Sequence, residues 1–387
     1  MKVIFYAMMA AVSMLMMSHD VFAQGETAVP FLLIAPDAQA GGMGQAGTGL
    51  ADNGSAVFWN PGGLAFLKGT YLNLSHTPWL PEFGSDMTYD FLSATHYLPG
   101  WDGSVGASIT YFNLGTFTET GPGGPTPLGT WHAFEYAVTL GYGAQVADGL
   151  GIGANFRYIH SALAPFGTPG TGEQGSGIAS DVSFDLGVLY RPQTLQLPLF
   201  GDMGNRIGLG LDLSNMGPNL YYIDQAQADP LPTNLRVGIA VHALKSEYNN
   251  IYLVVDLSRT MVRVRTDSTY AGLGSDGQAQ YTYYNVVDPL PQSLITTWSD
   301  GSGLKRIIFS GGAEYWYGHP RLIALRWGIY KESPSYGGRN FMTFGAGIRY
   351  SIYAFDFSYI STFSANNPLS NQLSFSLGLN FGGPSEF

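Results

Sequence analysis

Between Gly69 and Phe381 the side chains alternate, large apolar then small or polar, in stretch after stretch. That alternation limits what the chain can fold into more than any other feature. In the last stretch Leu373, Phe375, Leu377, Leu379 and Phe381 fall on one face, and Ser374, Ser376, Gly378 and Asn380 on the other. Tyr353, Phe355, Phe357 and Tyr359 oppose Ala354, Asp356 and Ser358 in the same way. A period of two belongs to a strand whose successive residues point to opposite faces. About fourteen such strands can be counted, starting near Gly69, Met87, Gly103, Trp131, Gly151, Gly177, Asn205, Pro232, Asn250, Ile307, Arg321, Phe341, Ile352 and Asn371. The charges keep to the small-residue face. Arg157, Arg236, Arg326 and Arg349 all sit there. An Arg facing lipid near the midplane costs about 2–4 kcal/mol, so slipping all four by one residue would cost on the order of 8–16 kcal/mol, comparable to the stability of a whole domain. Register is therefore strongly specified. These inward charges read as lumenal ion pairs rather than as a catalytic constellation.

Composition turns strands into a membrane barrel. Charged residues are 12% of the chain and aromatics 14%, with 52 Gly and 24 Tyr, yet mean hydropathy is only +0.05. No apolar run beyond the N-terminus is long enough for a transmembrane helix. Low charge with modest hydropathy is what results when lipid-facing and lumen-facing residues average out, and it predicts an all-β, transmembrane, antiparallel β-barrel. A soluble array of β-sandwiches should carry more surface charge. The net charge of -11 and the lack of a basic patch argue against nucleic-acid binding. With no cysteine, disulfides, thiol catalysis and Cys-ligated zinc are excluded. Connections alternate between short turns, such as Pro99 to Asp102 and Tyr350-Ser351, and long loops, such as Thr118 to Thr130, Leu163 to Ser176, Met216 to Leu231 and Thr260 to Lys305. In an even-stranded barrel this puts short turns and both termini in the periplasm and long loops outside the cell. Arg191 to Gly204 is longer than a short turn should be.

Residues 1–23 read as a secretory signal peptide, with Lys2 as the leading charge, an apolar run from Val3 to Met17 and a Val21-Phe22-Ala23 cleavage site. Residues 24–68 fit neither leader nor barrel. From Ile34 to Phe66 the segment is too glycine-rich for an exposed helix and too apolar for a solvated linker. Asp52-Asn53-Gly54-Ser55 and Asn60-Pro61-Gly62 are turn chemistry. The segment is either a hatch folded into the barrel, the reading adopted here, or a turn-rich lead-in to the first strand. Residues 69–387 form the barrel and its loops.

Asp37-Ala38-Gln39-Ala40-Gly41-Gly42-Met43-Gly44, followed by Trp59-Asn60-Pro61-Gly62-Gly63, resembles the opening of the PorV/PorQ group of type IX secretion outer-membrane proteins in Bacteroidota, and is nearer to PorV. That group is distantly related to the FadL fatty-acid transporters. The resemblance covers the mature chain. It implies a FadL-like barrel with an N-terminal hatch whose motif residues are Asp37, Met43, Gly44, Trp59, Asn60 and Pro61. It also implies a non-enzymatic carrier that takes exported cargo by its C-terminal signal domain from the translocon barrel to the sortase. The surroundings would be the bilayer and lipopolysaccharide. The alternative is a FadL-like channel for hydrophobic small molecules, which the Gly, Ser, Thr, Asp and Arg of the inward faces disfavour.

The longest loop, Thr260 to Lys305, carries Tyr281, Tyr283, Tyr284 and Trp298. Such a cluster marks either a partner-binding surface or a loop that caps the lumen or extends the strands above the membrane. No phosphate-binding loop or metal-spaced His pair is present, and no catalytic, cofactor or metal residue is assigned. His160-Ser161 hints at a surface hydrolase but lacks a third partner. Asp52-Asn53 reads as a turn rather than a calcium site.

Overall fold

A computed structural model describes residues 27–83, 86–120, 124–164, 176–198, 201–222, 228–273, 278–299, 303–364 and 367–382. The expected signal peptide lies outside them. The alternating stretches pair as β1 (Thr70–Pro78), β2 (Thr88–Leu98), β3 (Gly103–Thr120), β4 (Pro127–Ala147), β5 (Leu150–Ala164) and β6 (Gly177–Tyr190). After a small hairpin of β7 (Gln196–Leu197) and β8 (Gly201–Asp202) come β9 (Ile207–Met216), β10 (Asn234–Lys245) and β11 (Asn249–Thr260). A second hairpin, β12 (Val264–Leu273) with β13 (Ala279–Val287), precedes β14 (Ile308–Tyr317), β15 (Ile323–Lys331), β16 (Asn340–Tyr350), β17 (Tyr353–Thr362) and β18 (Leu373–Asn380). Apart from the two hairpins, all strands join one closed antiparallel barrel in which β1 pairs with β18. That makes fourteen barrel strands, each beginning at or within a few residues of its expected start.

The large apolar face points outward. Leu74, Leu140, Leu186, Leu325, Phe355 and Leu377 are all exposed on the wall, as a lipid-facing band requires. The inward charges pair across neighbouring strands. Arg326 on β15 donates to Glu314 of β14 at 2.7 Å and to Asp356 of β17 at 2.8 Å, and Arg349 of β16 contacts the same Asp356 at 2.9 Å. Arg157 of β5 meets Asp185 of β6 at 2.7 Å. In a low-dielectric wall each such charge needs its partner, since removing one side of a buried pair typically costs about 3–5 kcal/mol.

Two of the expected long loops contain paired strands. β3 and β4 continue pairing through Glu119 and Gly129, with Phe117 stacked on Trp131 at 5.7 Å, so much of the expected Thr118 to Thr130 loop is hairpin. The stretch from Thr260 to Lys305 contains the β12–β13 hairpin and a short helix, Leu290–Thr296. The first and last described residues lie at opposite ends of the barrel, whereas both termini are expected at the short-turn end. Gly382 sits there beside Gly69, and Phe381 N donates to Thr70 O at 2.8 Å. The amino end lies opposite: Ala28 N donates to Pro230 O at 3.0 Å, among the long loops. Val29, Phe31 and Leu32 are anchored there in an apolar cluster with Tyr89, Phe112, Ile159, Leu220 and Leu231. The described N-terminal segment thus threads the lumen from the long-loop mouth to the short-turn end.

Candidate functional site

The segment Ala28 to Leu67 is held by backbone-to-wall contacts, and the motif residues make most of its internal ones. Asp37 caps the short helix Ala38–Gly41, its Oδ1 accepting from Ala40 N at 2.9 Å, while its Oδ2 accepts from Trp59 Nε1 at 2.7 Å. Burial pushes the Asp37 carboxyl up, against those two hydrogen bonds. Asn60 is fully buried and uses its whole amide: Nδ2 donates to Thr48 O at 3.1 Å and to Val188 O of β6 at 2.9 Å, and Oδ1 accepts from Gly62 N at 2.9 Å. It joins two parts of the segment to the wall, and Pro61 then opens the 3₁₀ turn Pro61–Phe66. Met43 is fully buried with Leu50, Tyr252, Val254 and Trp316.

Wall residues complete the attachment. Asp256 of β11 accepts from Gly47 N and Thr48 N with one oxygen, both at 2.8 Å. Gly44 N donates to Thr343 Oγ1 of β16 at 2.8 Å, and Ala38 N to Ser376 Oγ of β18 at 2.8 Å. Asn155 of β5 donates to Val57 O at 2.7 Å, and Arg191, just after β6, to Leu50 O. The long inner connection after β6 holds the β7–β8 hairpin, and its first residue, Arg191, is buried against the segment. Asp256, Thr343, Ser376, Asn155 and Arg191 were not legible as contact residues, because inward polarity in a strand does not say what it faces. The space lined by Asp37, Met43, Leu50, Asp52 and Trp59 is about 10 Å³, room for roughly one water.

The inward glycines have the same cause. A Cβ on Gly328 of β15 would lie 2.0 Å from Gly44 N, and one on Gly153 of β5 would lie 2.1 Å from Pro61 O. Only a residue without a side chain lets the segment's backbone approach that closely. Gly44 itself adopts φ +70, which favours glycine.

The expected turn at Asn53 is present: its Oδ1 accepts from Ser55 N at 2.7 Å. Among the described residues no group of three or more His, Asp or Glu could hold a metal ion. His160 and Ser161 project to opposite faces of β5. His160 meets Ser180 Oγ at 2.8 Å on the outside, while Ser161 donates to Glu135 at 2.7 Å inside. They cannot act as a dyad.

The structure separates the four loop aromatics. Tyr281 and Tyr284 are exposed on β13, with Tyr281 edge-on to Tyr270 at 5.9 Å. The Tyr283 side chain lies outside the described residues. Trp298 stands at the loop's base with the Arg259 guanidinium 4.4 Å from its ring. Buried Arg259 donates to Thr297 O and Gly303 O. Asp288 takes Arg265 at 2.8 Å and Thr296 Oγ1 at 2.7 Å. These bonds and the Arg265 charge outweigh burial and hold the Asp288 carboxyl below its usual range. The hairpin thus springs from a clamped base.

The family model of the type IX secretion system protein PorV matches residues 20–267, well over half of the chain. The chain belongs to the PorV family. No curated protein sequence matches this PorV-family chain. Among solved structures it is similar to the toluene transporter TbuX of Ralstonia pickettii, at 14% identity over 91% of this chain and 100% of that one, with a TM-score of 0.51. It is similar also to the P. putida toluene transporter TodX, at 12% identity over 90% and 99%, with a TM-score of 0.50. At such identities these likenesses establish the fold, a FadL-like barrel, and nothing finer. Family and fold together make the chain an outer-membrane β-barrel of the type IX secretion system.

Proposed function

We propose that this barrel is a non-enzymatic carrier of type IX secretion. The segment of residues 24–68 is a hatch that keeps the lumen closed. The long loops are extracellular and bind exported cargo by its C-terminal signal domain, receiving it at the translocon barrel and passing it to the sortase. The observation that carries this reading is the lumen itself: its cross-section is occupied by a segment bonded to strands all round the wall, so recognition falls to the loops. Tyr281 and Tyr284 are its best-placed anchors, since exposed aromatics on a supported hairpin bury large area at low entropic cost. Trp298, under Arg259, supports the hairpin's base.

The test replaces Asp267 to Tyr284, which carries both aromatics, with a short Gly/Ser turn. Arg259, Arg265, Asp288 and Thr296, which hold the base, are kept. The expected result is a barrel that still migrates faster unboiled than boiled but no longer co-purifies with cargo and no longer supports surface attachment. Normal binding and secretion by the shortened protein would move recognition to other loops.

A second reading, a channel for hydrophobic small molecules, is favoured by the apolar cluster around Phe31 at the long-loop mouth. It requires the hatch to yield. Uptake of a hydrocarbon into proteoliposomes, abolished when the hatch is cross-linked to β15, would support it over the carrier reading.

A further inference from the structure

At the long-loop rim, outside the lumen, a cavity of about 360 Å³ opens beside the top of β17. It is lined by Glu82, Tyr359, Ser361, Thr362, Ser364, Ser370 and Asn371. That lining holds five hydroxyls, one amide and one carboxylate, without a cation or an aliphatic side chain. The groups are held in place. Tyr359 Oη donates to Asn371 Oδ1 at 2.6 Å, and Asn371 Nδ2 donates to Glu82 Oε1 at 2.5 Å, which ties the β17–β18 loop to the β1–β2 loop across the rim. Thr362 and Ser370 share a hydrogen bond between their hydroxyls. Asn371 takes a left-handed conformation, φ +61, a costly choice for most side chains and one that Asn tolerates, and it aims the amide between the two loops.

We propose that this niche binds a saccharide. Its size lies within the range of small-molecule sites, roughly 300–1,000 Å³. An apolar ligand would desolvate every lining group without replacing its hydrogen bonds. A phosphate or carboxylate would meet Glu82 with no cation to offset it. A sugar ring presents hydroxyls that both donate and accept, as Ser, Thr and Tyr hydroxyls do, so each desolvated group on either side finds a partner. Glu82 adds a charge-assisted acceptor for a sugar hydroxyl or an amino-sugar ammonium. The niche looks outward at the level where the long loops leave the wall, so a ligand would come from the outer leaflet's glycans. That source, though not the chemistry of the niche, rests on the reading that the long loops are extracellular.

The full-length protein in detergent would be titrated by calorimetry with two probes: intact lipopolysaccharide, and the oligosaccharide released from it by mild acid. Ser361→Trp fills the niche from the outward face of β17, and Glu82→Ala removes the acceptor from a surface loop. Heat-modifiable migration and β circular dichroism would establish that each variant is folded. Binding of the free oligosaccharide, weakened at least tenfold in both variants, supports a site for the sugar itself. Binding of intact lipopolysaccharide alone, weakened to the same extent, supports a site for the lipid-linked sugar. Absence of binding by both probes, or binding unchanged in Ser361→Trp, overturns the proposal. Orientation is tested separately. The chain has no cysteine, so Phe363→Cys labels cleanly. A membrane-impermeant maleimide that fails to reach it in whole cells refutes the extracellular placement and leaves the detergent titration as the judge of the niche.

Discussion

Asp52 places a titratable carboxyl on the segment inside the lumen. It is half-buried in the lumen, and burial, then the Glu314 carboxylate, pushes its pKa up to about 6 despite the charges of Arg191, Arg321 and Arg349. Released from the wall, the group would titrate near 3.8. A carboxyl raised in the docked state favours docking fully below the lower value and loses that contribution as pH rises through the higher one. Docking should therefore weaken between about pH 4 and pH 6, by at most about 3 kcal/mol for a shift of about two pKa units. Hydrogen-exchange protection of the Gly47 and Thr48 amides, corrected for intrinsic rates, should fall across that window in the wild type and stay flat in Asp52→Asn. An identical fall in both proteins would remove Asp52 from the account. At this scale the sequence was partly readable. Asn60 and Asp37 were legible as motif members, but the three hydrogen bonds of Asn60 were not, because two of their acceptors belong to Thr48 and Val188.

At the scale of elements, β15 carries two faces with two jobs. Its outer face, with Leu325 and Trp327 exposed, follows from alternation alone. Its inner face sets Arg326 between Glu314 and Asp356, and Gly328 against Gly44. Gly328→Ala would drive a methyl into the Gly44 backbone while leaving every β14–β15–β16 pair intact. The expected phenotype is a normally folded, heat-modifiable barrel whose segment is displaced, seen as single-channel conductance in planar bilayers above that of the wild type. A silent Gly328→Ala barrel would mean that the wall yields locally and the contact holds nothing. In β3 and β4 the pairing overran the expected loop, since Phe117 and Trp131 stack across the hairpin and extend the ladder beyond the turn residues.

For the whole molecule the prediction concerns independence of wall and hatch. The wall is closed by its own ladder, β1 on β18, and the hatch contributes no strand to it. Deleting Ala35 to Asn53 should leave strong β circular dichroism and a boiling-dependent shift on gels, and should raise single-channel conductance severalfold. Loss of the shift would show that the barrel needs its hatch to fold. The longest loop has the same division: its hairpin is a two-stranded sheet of its own, but its base is locked to β11 through Arg259, so only the tip can be removed without stranding a buried cation.

What the sequence determined alone was everything that repeats with period two: the number of barrel strands, their starts, the register that keeps Arg157, Arg236, Arg326 and Arg349 off the lipid, and the outward apolar band. Alternation is a local property, and a membrane penalizes its violation at every residue. The tertiary structure decided the rest. The entry of the chain at the long-loop mouth, the role of Gly328 and Gly153 as clearance for Gly44 and Pro61, the grip of Asp256 on Gly47 and Thr48, and the niche joining Glu82 to Asn371 all depend on atoms brought together from distant parts of the chain. Barrel closure creates those neighbours, and no local pattern can specify a contact before the ring is shut.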